Sequence, residues 1–209
     1  AQPFYVNAPF GIVMAHNGNL TNAHALRQEL FSTDHRHTNT ESDSEVLVNI
    51  IAHELEKNTR GIPLTVDNVF DAVAGVHARL KGSYAVISLI AGHGLLAFRD
   101  PYGIRPLCIG RAADGSVMLA SESVALEGTG FQLERDVAPG EAVFVALDGT
   151  LHTRQCAPSS QLYPCVFEFV YLARPDSVLD SISVYQARLA LGEGLAKRLI
   201  SKVPPNEID

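Results

Sequence analysis

Two adjacent residues, Asn17 and Gly18, have the chemistry of an oxyanion-binding site. They lie in the segment MAHNGNLTNAHALRQEL, residues 14–30. The asparagine amide carries two fixed N–H donors, and a glycine can adopt a positive φ that brings its backbone N–H close to a ligand. Paired donors of this kind stabilise the tetrahedral intermediate of acyl transfer, and losing one slows the reaction by about a hundredfold to a thousandfold. Because an Asn-Gly dipeptide is also common in tight turns, the pair alone indicates either an oxyanion hole or an ordinary turn.

A second candidate is Asp43, in the segment SDSE at residues 42–45. Ser42 and Glu45 have the spacing of a capping box, which predicts that a helix begins near Asp43. A carboxylate in the first turn of a helix is stabilised by the helix dipole. Asp43 is therefore either an ordinary helix-start acid or the group that binds the ammonium of an amino-acid ligand.

A third polar cluster occurs in FRDPYGIRPL, residues 98–107. Its proline and glycine favour a turn between two strands. Arg99, Asp100 and Arg105 surround this turn, and an Arg–Asp pair there would form a rigid bidentate tie. We therefore expect a structural corner at this position.

The histidines and cysteines do not form a recognisable metal site or disulfide framework. His35 and His37 alternate in DHRHT, but no third ligand is near them, which favours an exposed loop. Cys108, Cys156 and Cys165 are odd in number and lack C-x-x-C spacing. This cysteine usage is typical of a reducing compartment, so we expect a cytoplasmic protein.

Charge and hydropathy argue against two classes of partner. The 209-residue chain has a formal net charge of -7 and no run of lysine or arginine, so nucleic acid is not an expected partner. The most apolar stretch, residues 84–98, is interrupted by GHG at 92–94, and each arm is too short to cross a membrane as a helix. We therefore expect neither a membrane segment nor a signal peptide.

The order of the predicted elements indicates an α+β fold, with helices layered on antiparallel sheets. Apolar residues after the Asn-Gly step recur at helical spacing, so that step is predicted to join a strand to a helix rather than to form a hairpin. The predicted elements are a strand at 10–15, helices after 21, after 43 and over 69–80, a meander of strands from 84 to 147, one further strand in CVFEFVYLARPDS (165–177) and a final helix at 183–199.

Taken in order, seven motifs resemble those of the amidophosphoribosyltransferase family, the glutamine-dependent enzymes that open purine biosynthesis. They are AQPF, AHNGNLTNAHALRQEL, SDSE, FRDPYGIRPL, ASESVAL, RDVAPGEAV and FEFVYLARPDS. The second and fourth are shared, with variations, by other class II glutamine amidotransferases such as asparagine synthetase. The last resembles the junction into the phosphoribosyltransferase domain of this one family.

The resemblance implies a four-layer αββα sandwich of the N-terminal-nucleophile type over residues 1–160, incomplete at its start. Residues 161–209 would form the junction and the first elements of a phosphoribosyltransferase domain. Asn17 and the Gly18 N–H would form the oxyanion hole, and Asp43 would bind the α-ammonium of glutamine. The implied partners are glutamine and phosphoribosyl pyrophosphate in a homo-oligomer, a tetramer. No cofactor is expected in this chain, while Mg²⁺ is expected in the phosphoribosyltransferase domain.

The family's nucleophile is a cysteine at the mature N-terminus, and no cysteine of this chain has that context. We therefore expect an internal fragment that is inactive alone. Cys165 matches a position that binds an iron–sulfur cluster in some members only, and no cluster is expected. Two alternatives remain open: another class II amidotransferase, similar to asparagine synthetase, and a glutamine-binding module without activity.

Overall fold

Two antiparallel sheets, of six and three strands, form the centre of a computed structural model that describes residues 1–59, 61 and 63–202. The larger sheet has the order β1–β2–β3–β4–β8–β9, and the smaller has the order β6–β5–β7. The strands are β1 (Phe4–Val6), β2 (Ile12–Leu20), β3 (Gly82–Ile90), β4 (Gly94–Arg99), β5 (Cys108–Arg111), β6 (Val117–Ala120), β7 (Gln132–Asp136), β8 (Glu141–Ala146) and β9 (Leu151–Gln155).

Within the described residues, five α-helices and one π-helix accompany the sheets. They are α1 (Ala23–Asp34), α2 (Asp43–Thr59), α3 (Val66–Arg79), α4 (Ser123–Glu127), a π-helix (Glu168–Leu172) and α5 (Val184–Ile200); a small hairpin of β10 (Val178–Leu179) and β11 (Ile182–Ser183) precedes α5. None of the described helices is long and apolar enough to span a membrane.

The buried side chains lie in layers. Leu47 and Ile50 of α2 belong to the large core between the three long helices and the larger sheet. Ala97 and Ile109 pack between the two sheets. On the outer face of the smaller sheet, Leu126 of α4 packs against Cys108 and Ala120 of the sheet. The order helix, sheet, sheet, helix is the predicted αββα sandwich, which is confirmed with a single short helix as its outer layer.

Strand β2 is longer than the predicted strand at 10–15. It pairs with β3 over nine residues, and Asn17 and Gly18 lie inside this ladder, opposite Ala85 and Tyr84. The prediction that these two residues form the strand-to-helix turn was therefore wrong, because cross-strand pairing continues through the polar residues. The chain turns after Leu20 instead.

The predicted capping box at Ser42 and Glu45 is also absent, although α2 does begin at Asp43. The Glu45 carboxylate accepts hydrogen bonds from Asn39 N and Thr40 N, both at 2.7 Å, and from Thr40 Oγ1 at 2.6 Å. Burial opposes the charge of Glu45, but these hydrogen bonds lower its pKa overall. Glu45 therefore fixes the loop before α2 rather than the helix end itself.

The strand predicted in CVFEFVYLARPDS is a helical turn. Residues 166–172 are helical, and the last five form the π-helix. Only Glu168 and Phe169 are buried in the π-helix, and the segment joins neither sheet. Periodicity alone does not separate a short apolar strand from a short helix, which accounts for the error.

Candidate active site

One edge of β2 presents three backbone N–H groups, those of His16, Gly18 and Leu20, because alternate residues of a strand point the same way. His16 N donates to Gln2 Oε1 at 2.5 Å, and Leu20 N donates to Asp43 Oδ2 at 2.9 Å. β1 pairs with only the first part of β2, so no described strand lies beside Gly18 on this edge. The Gly18 N–H therefore lies between the N–H groups of His16 and Leu20, both of which already donate a hydrogen bond.

Only glycine fits at position 18. Its φ is 150°, a conformation that other residues rarely adopt. A Cβ here would lie 2.0 Å from the Ser83 carbonyl oxygen and 2.8 Å from His16 Nε2. The absence of a side chain thus allows the β2 backbone to approach β3 closely.

The Asn17 side chain has a fixed orientation. Its Oδ1 accepts two hydrogen bonds from Arg105, from Nε at 3.1 Å and from Nη2 at 2.6 Å. A guanidinium can only donate, so the amide oxygen must face Arg105 and the amide nitrogen must face away. Over the residues that the structure describes, no group accepts a hydrogen bond from Asn17 Nδ2. Two donors, Asn17 Nδ2 and Gly18 N, are therefore available at neighbouring residues.

Asp43 lies at the same edge of β2, at the first position of α2. Oδ2 accepts the Leu20 N–H, whereas the hydroxyl of Ser44 lies 3.5 Å from Oδ1, at the limit of a hydrogen bond. Oδ1 thus keeps most of its capacity to accept. The structure brings the three predicted site residues, Asn17, Gly18 and Asp43, to one strand edge.

His16 supports this edge from the buried side. Its Nδ1 lies 3.0 Å from Ser44 Oγ, which links β2 to the start of α2. Burial lowers the pKa of His16 and the nearby Arg105 charge lowers it further, against opposing contributions from Asp43 and the Ser83 carbonyl. The imidazole is therefore neutral at neutral pH, as suits a hydrogen-bonding support.

Besides Gln2, whose side chain accepts the His16 N–H, two residues at the site were not identified from the sequence as site residues. Arg105 was expected only in a corner, and Glu168 only in a strand. Arg105 Nη1 lies 2.9 Å from Glu168 Oε1, so the two groups form an ion pair. The angles between them do not fit a hydrogen bond. Burial raises the pKa of Glu168, with Arg105 opposing and Glu122 adding to the rise. No local signal reveals these contacts, because Asn17 and Arg105 are 88 residues apart.

The expected Arg–Asp tie in the corner exists with a different aspartate. Arg99 donates to Asp180 through Nη1 at 2.7 Å and Nη2 at 2.8 Å. Asp100 instead accepts backbone N–H groups, including those of Tyr102 at 2.9 Å and Ile104 at 3.0 Å. The corner is therefore rigid, as predicted, but its bidentate pair reaches out of the segment to the loop before α5.

Neither Cys108 nor Cys156 has the environment of a nucleophile. Burial raises the pKa of the Cys108 thiol to about 12 and that of Cys156 to about 11. His35 and His37 are exposed. Among residues 1–59, 61 and 63–202, no three His, Cys, Asp or Glu side chains are grouped as a metal site would require.

Comparisons with known proteins match all or most of the chain. The family model described as a glutamine amidotransferase domain matches residues 1–128. The chain is similar to the amidophosphoribosyltransferases of Pseudomonas aeruginosa and Escherichia coli, each 54% identical over 100% of this chain and 42% of the relative. Its structure is similar to that of glutamine phosphoribosylpyrophosphate amidotransferase from B. subtilis in complex with ADP and GMP, with a TM-score of 0.77 and 32% identity over 94% of this chain and 40% of that one. The chain thus spans less than half the length of these relatives.

Proposed function

Since the chain belongs to the glutamine amidotransferase family, as the match over residues 1–128 shows, we propose that it forms the glutamine-hydrolysing part of an amidophosphoribosyltransferase. The resemblance inferred from the motifs is confirmed by the relatives of that name. The proposed overall reaction releases ammonia from glutamine and transfers it to phosphoribosyl pyrophosphate, giving 5-phosphoribosylamine, glutamate and pyrophosphate. The observation that carries this proposal is the pair of free donors at Asn17 and Gly18 beside Asp43.

The two donors suit a tetrahedral oxyanion. When a thiolate attacks the side-chain amide carbon of glutamine, the electron pair of the C=O π bond moves onto the oxygen. Asn17 Nδ2 and Gly18 N would donate to that oxygen and stabilise its charge. The proton given up by the attacking thiol is transferred to the nitrogen, and collapse of the intermediate then breaks the C–N bond, which releases ammonia and leaves a thioester. Water then hydrolyses the thioester through a second oxyanion at the same donors.

Asp43 would hold the other end of glutamine. Its Oδ2 is fixed by the Leu20 N–H, and its Oδ1 is free to accept from an α-ammonium. Because Leu20 and Gly18 face the same edge of β2, a glutamine bound at Asp43 would extend along that edge toward the Gly18 N–H. The carboxylate thereby orients the substrate amide toward the two donors.

The attacking thiol is proposed to come from outside these 209 residues. Resemblance to the family assigns this role to an N-terminal cysteine, and the raised pKa values of Cys108 and Cys156 make both thiols poor nucleophiles. We therefore expect no glutamine hydrolysis by this chain alone. An oxyanion hole without a nucleophile stabilises an intermediate that does not form.

The last part of the chain is proposed to begin the phosphoribosyltransferase domain, over residues 161–209, of which 203–209 lie outside the described residues. Helix α5 buries only Val184 and exposes a series of apolar side chains, as a helix does when the rest of its domain is missing. Phosphoribosyl pyrophosphate and Mg²⁺ would bind in that domain. Among the described residues no three His, Cys, Asp or Glu side chains are grouped, and no step at the glutamine site is assigned to Mg²⁺. The tetramer and the cytoplasmic location remain predictions.

Asn17→Ala in the full-length protein tests the proposed function. We expect the rate of glutamine-dependent synthesis to fall by about a hundredfold or more, because one oxyanion donor is lost. Synthesis supplied with free ammonia should stay within about twofold, since it needs no oxyanion hole. The control is Asn19→Ala, because Asn19 is an exposed asparagine on the same strand without a side-chain hydrogen bond among the described residues. An equal loss of both activities in Asn17→Ala would contradict the assignment.

Asp43→Asn in the same assay should mainly raise the KM for glutamine, because the ammonium loses its counter-charge. The helix dipole gives a carboxylate at this position about 0.3–1 kcal/mol of stability, so the melting temperature is measured alongside. A fall in kcat with an unchanged KM would argue against the binding role. Glutamine binding by the unsubstituted full-length protein without ammonia release would instead support the non-catalytic module. The names of the relatives favour phosphoribosyl pyrophosphate over the acceptor of an asparagine synthetase.

A further inference from the structure

We propose that Arg105 is a positioning residue for the oxyanion donor Asn17, and that Glu168 in turn holds the Arg105 side chain in place. Neither residue is assigned such a role by the motifs, and the inference rests on the proposed function of Asn17. It adds a connection between the glutamine site and the segment that leads into α5.

The first step concerns the two ends of the Asn17 amide. The oxygen and the nitrogen have nearly the same shape, so a half-turn about χ2 exchanges their positions at little steric cost. In the exchanged orientation an oxygen, rather than a donor, would face the developing oxyanion and repel it. The two hydrogen bonds from Arg105 Nε and Nη2 to Oδ1 prevent this exchange, because the guanidinium has no acceptor to offer the amide nitrogen.

The second step concerns what holds Arg105. Its backbone is fixed on both sides, since Arg105 N donates to Asp100 Oδ2 at 3.3 Å and its carbonyl oxygen accepts from Arg99 Nε at 2.7 Å. Among the described residues, its side chain makes polar contacts with Asn17 and Glu168. Glu168 is only 5% exposed, so the surrounding protein restricts the movement of its carboxylate. The Arg105 guanidinium therefore pairs with a negative charge in a fixed position. The direction of the guanidinium is thus set by a carboxylate on the π-helix.

One guanidinium therefore connects the π-helix to the oxyanion donor. If the π-helix shifts, Glu168 withdraws from Arg105, and the arginine loses the contact that directs its fork onto Asn17. Glutamine hydrolysis should then slow although no group that touches glutamine has changed. A purely structural role of Arg105 would affect folding and both activities alike, and this difference makes the inference testable.

The experiment uses Arg105→Gln in the full-length protein. We expect kcat for glutamine hydrolysis to fall by about tenfold or more, because a misplaced donor loses much of its contribution. The KM for glutamine should change by less than about threefold and ammonia-dependent synthesis by less than about twofold, since Asp43 is untouched. Arg111→Gln is the matched control, because Arg111 makes an exposed pair with Glu134 at 2.6 Å elsewhere in the molecule; it should leave kcat unchanged.

A double-mutant cycle shows whether Arg105 acts through Asn17. Adding Arg105→Gln to Asn17→Ala should cause no further loss of kcat, because the amide to be positioned is already gone. Glu168→Gln should reduce kcat in the same direction by a smaller factor. If Arg105→Gln does not fold, Arg105→Lys carries the same expectations, since it keeps the charge beside Glu168 and loses the two parallel donors.

An additive loss in the double variant would overturn the inference, as would an equal loss of glutamine-dependent and ammonia-dependent synthesis in Arg105→Gln. An unchanged kcat in Arg105→Gln together with a large loss in Asn17→Ala would reject the inference and leave the proposed function intact. An unchanged kcat in Asn17→Ala would reject the proposed function itself.

Discussion

His77 is a buried histidine whose charge state depends strongly on its surroundings. Its Nδ1 lies 2.9 Å from the Tyr84 hydroxyl, its ring stacks on that of Tyr84, and the ring of Phe98 meets it edge-on. Burial lowers the pKa of His77 from 6.5 to about 4, although the Gly140 backbone carbonyl acts to raise it. The imidazole is therefore neutral in the folded protein at neutral pH.

This lowered pKa predicts a pH dependence of stability. Between pH 6.5 and 4 the unfolded chain binds a proton at His77 that the folded protein does not bind, so the free energy of unfolding falls as the pH falls. The loss reaches about 3 kcal/mol at pH 4. His77→Gln removes the titrating group, so the variant should not lose this contribution as the pH falls. The difference in the free energy of unfolding between variant and parent, measured by urea unfolding, should therefore change by about 3 kcal/mol in favour of the variant between pH 7.5 and 4.

The exposed His24 supplies the control for this measurement. His24→Gln should follow the parent protein over the whole pH range. If His77→Gln and the parent keep a constant difference in the free energy of unfolding across that range, the neutral buried state of His77 is wrong.

At the scale of residues, the sequence identified the groups of the site that lie in local motifs. Asn17, Gly18 and Asp43 were found through their resemblance to a family pattern, and the structure brings them together at one strand edge. Their chemical roles remain predictions. Gln2, Arg105 and Glu168 were not found, because each enters the site through a contact with a residue at least 14 positions away. Only the folded arrangement of strands establishes such contacts.

At the scale of elements, the long helices and the strand meander were predictable because their apolar residues recur with a clear period. The errors occur where function or tertiary contacts replace that pattern. β2 continues through polar residues because its edge carries the site, so its hydrophobic signal ends at Ala15 before the strand does. β1 and β9 have only three and five residues and were not predicted.

The pair of Arg99 and Asp180 joins two elements, β4 and the turn between β10 and β11. Arg99 is 1% exposed, and it also donates to the carbonyl oxygens of Val137 and Gly103. Removing the charge of Asp180 would leave a buried guanidinium without its bidentate partner. Asp136 is near enough to interact electrostatically with Arg99 and offsets part of this cost.

Asp180→Asn should therefore lower the free energy of unfolding by about 3 kcal/mol, the lower end of the usual cost of breaking a buried ion pair. Asp176→Asn is the matched control, because Asp176 pairs with Arg174 where both side chains are at least half exposed. That change should cost less than about 1 kcal/mol. Equal effects of the two substitutions in urea unfolding would show that the buried pair contributes no more than a surface pair.

At the scale of the whole molecule, α5 carries an apolar surface without a covering partner among the described residues. Leu191, Leu195 and Leu199 recur every four residues along one side, and Leu195 is 68% exposed. A continuous apolar surface of this kind promotes association. We expect the 209-residue chain to self-associate through α5.

Leu195→Glu should reduce this association and leave the melting temperature nearly unchanged, because the side chain contributes little to the folded core. Sedimentation velocity measures the shift toward monomer. Leu147→Glu is the matched control, since Leu147 is 72% exposed at the turn after β8 and belongs to no apolar surface of a helix. If both variants sediment as the parent does, α5 is not the associating surface.

The pairing of Arg99 with Asp180 also bears on how the chain matures during its synthesis. The two residues are 81 positions apart. A ribosome adds roughly 5–20 residues per second, so the arginine is made about 4–16 s before its carboxylate partner. During that interval Arg99, at the end of β4, lacks the bidentate aspartate partner that it has in the finished protein. The buried pair that joins β4 to the hairpin before α5 can therefore form only after that hairpin has been translated.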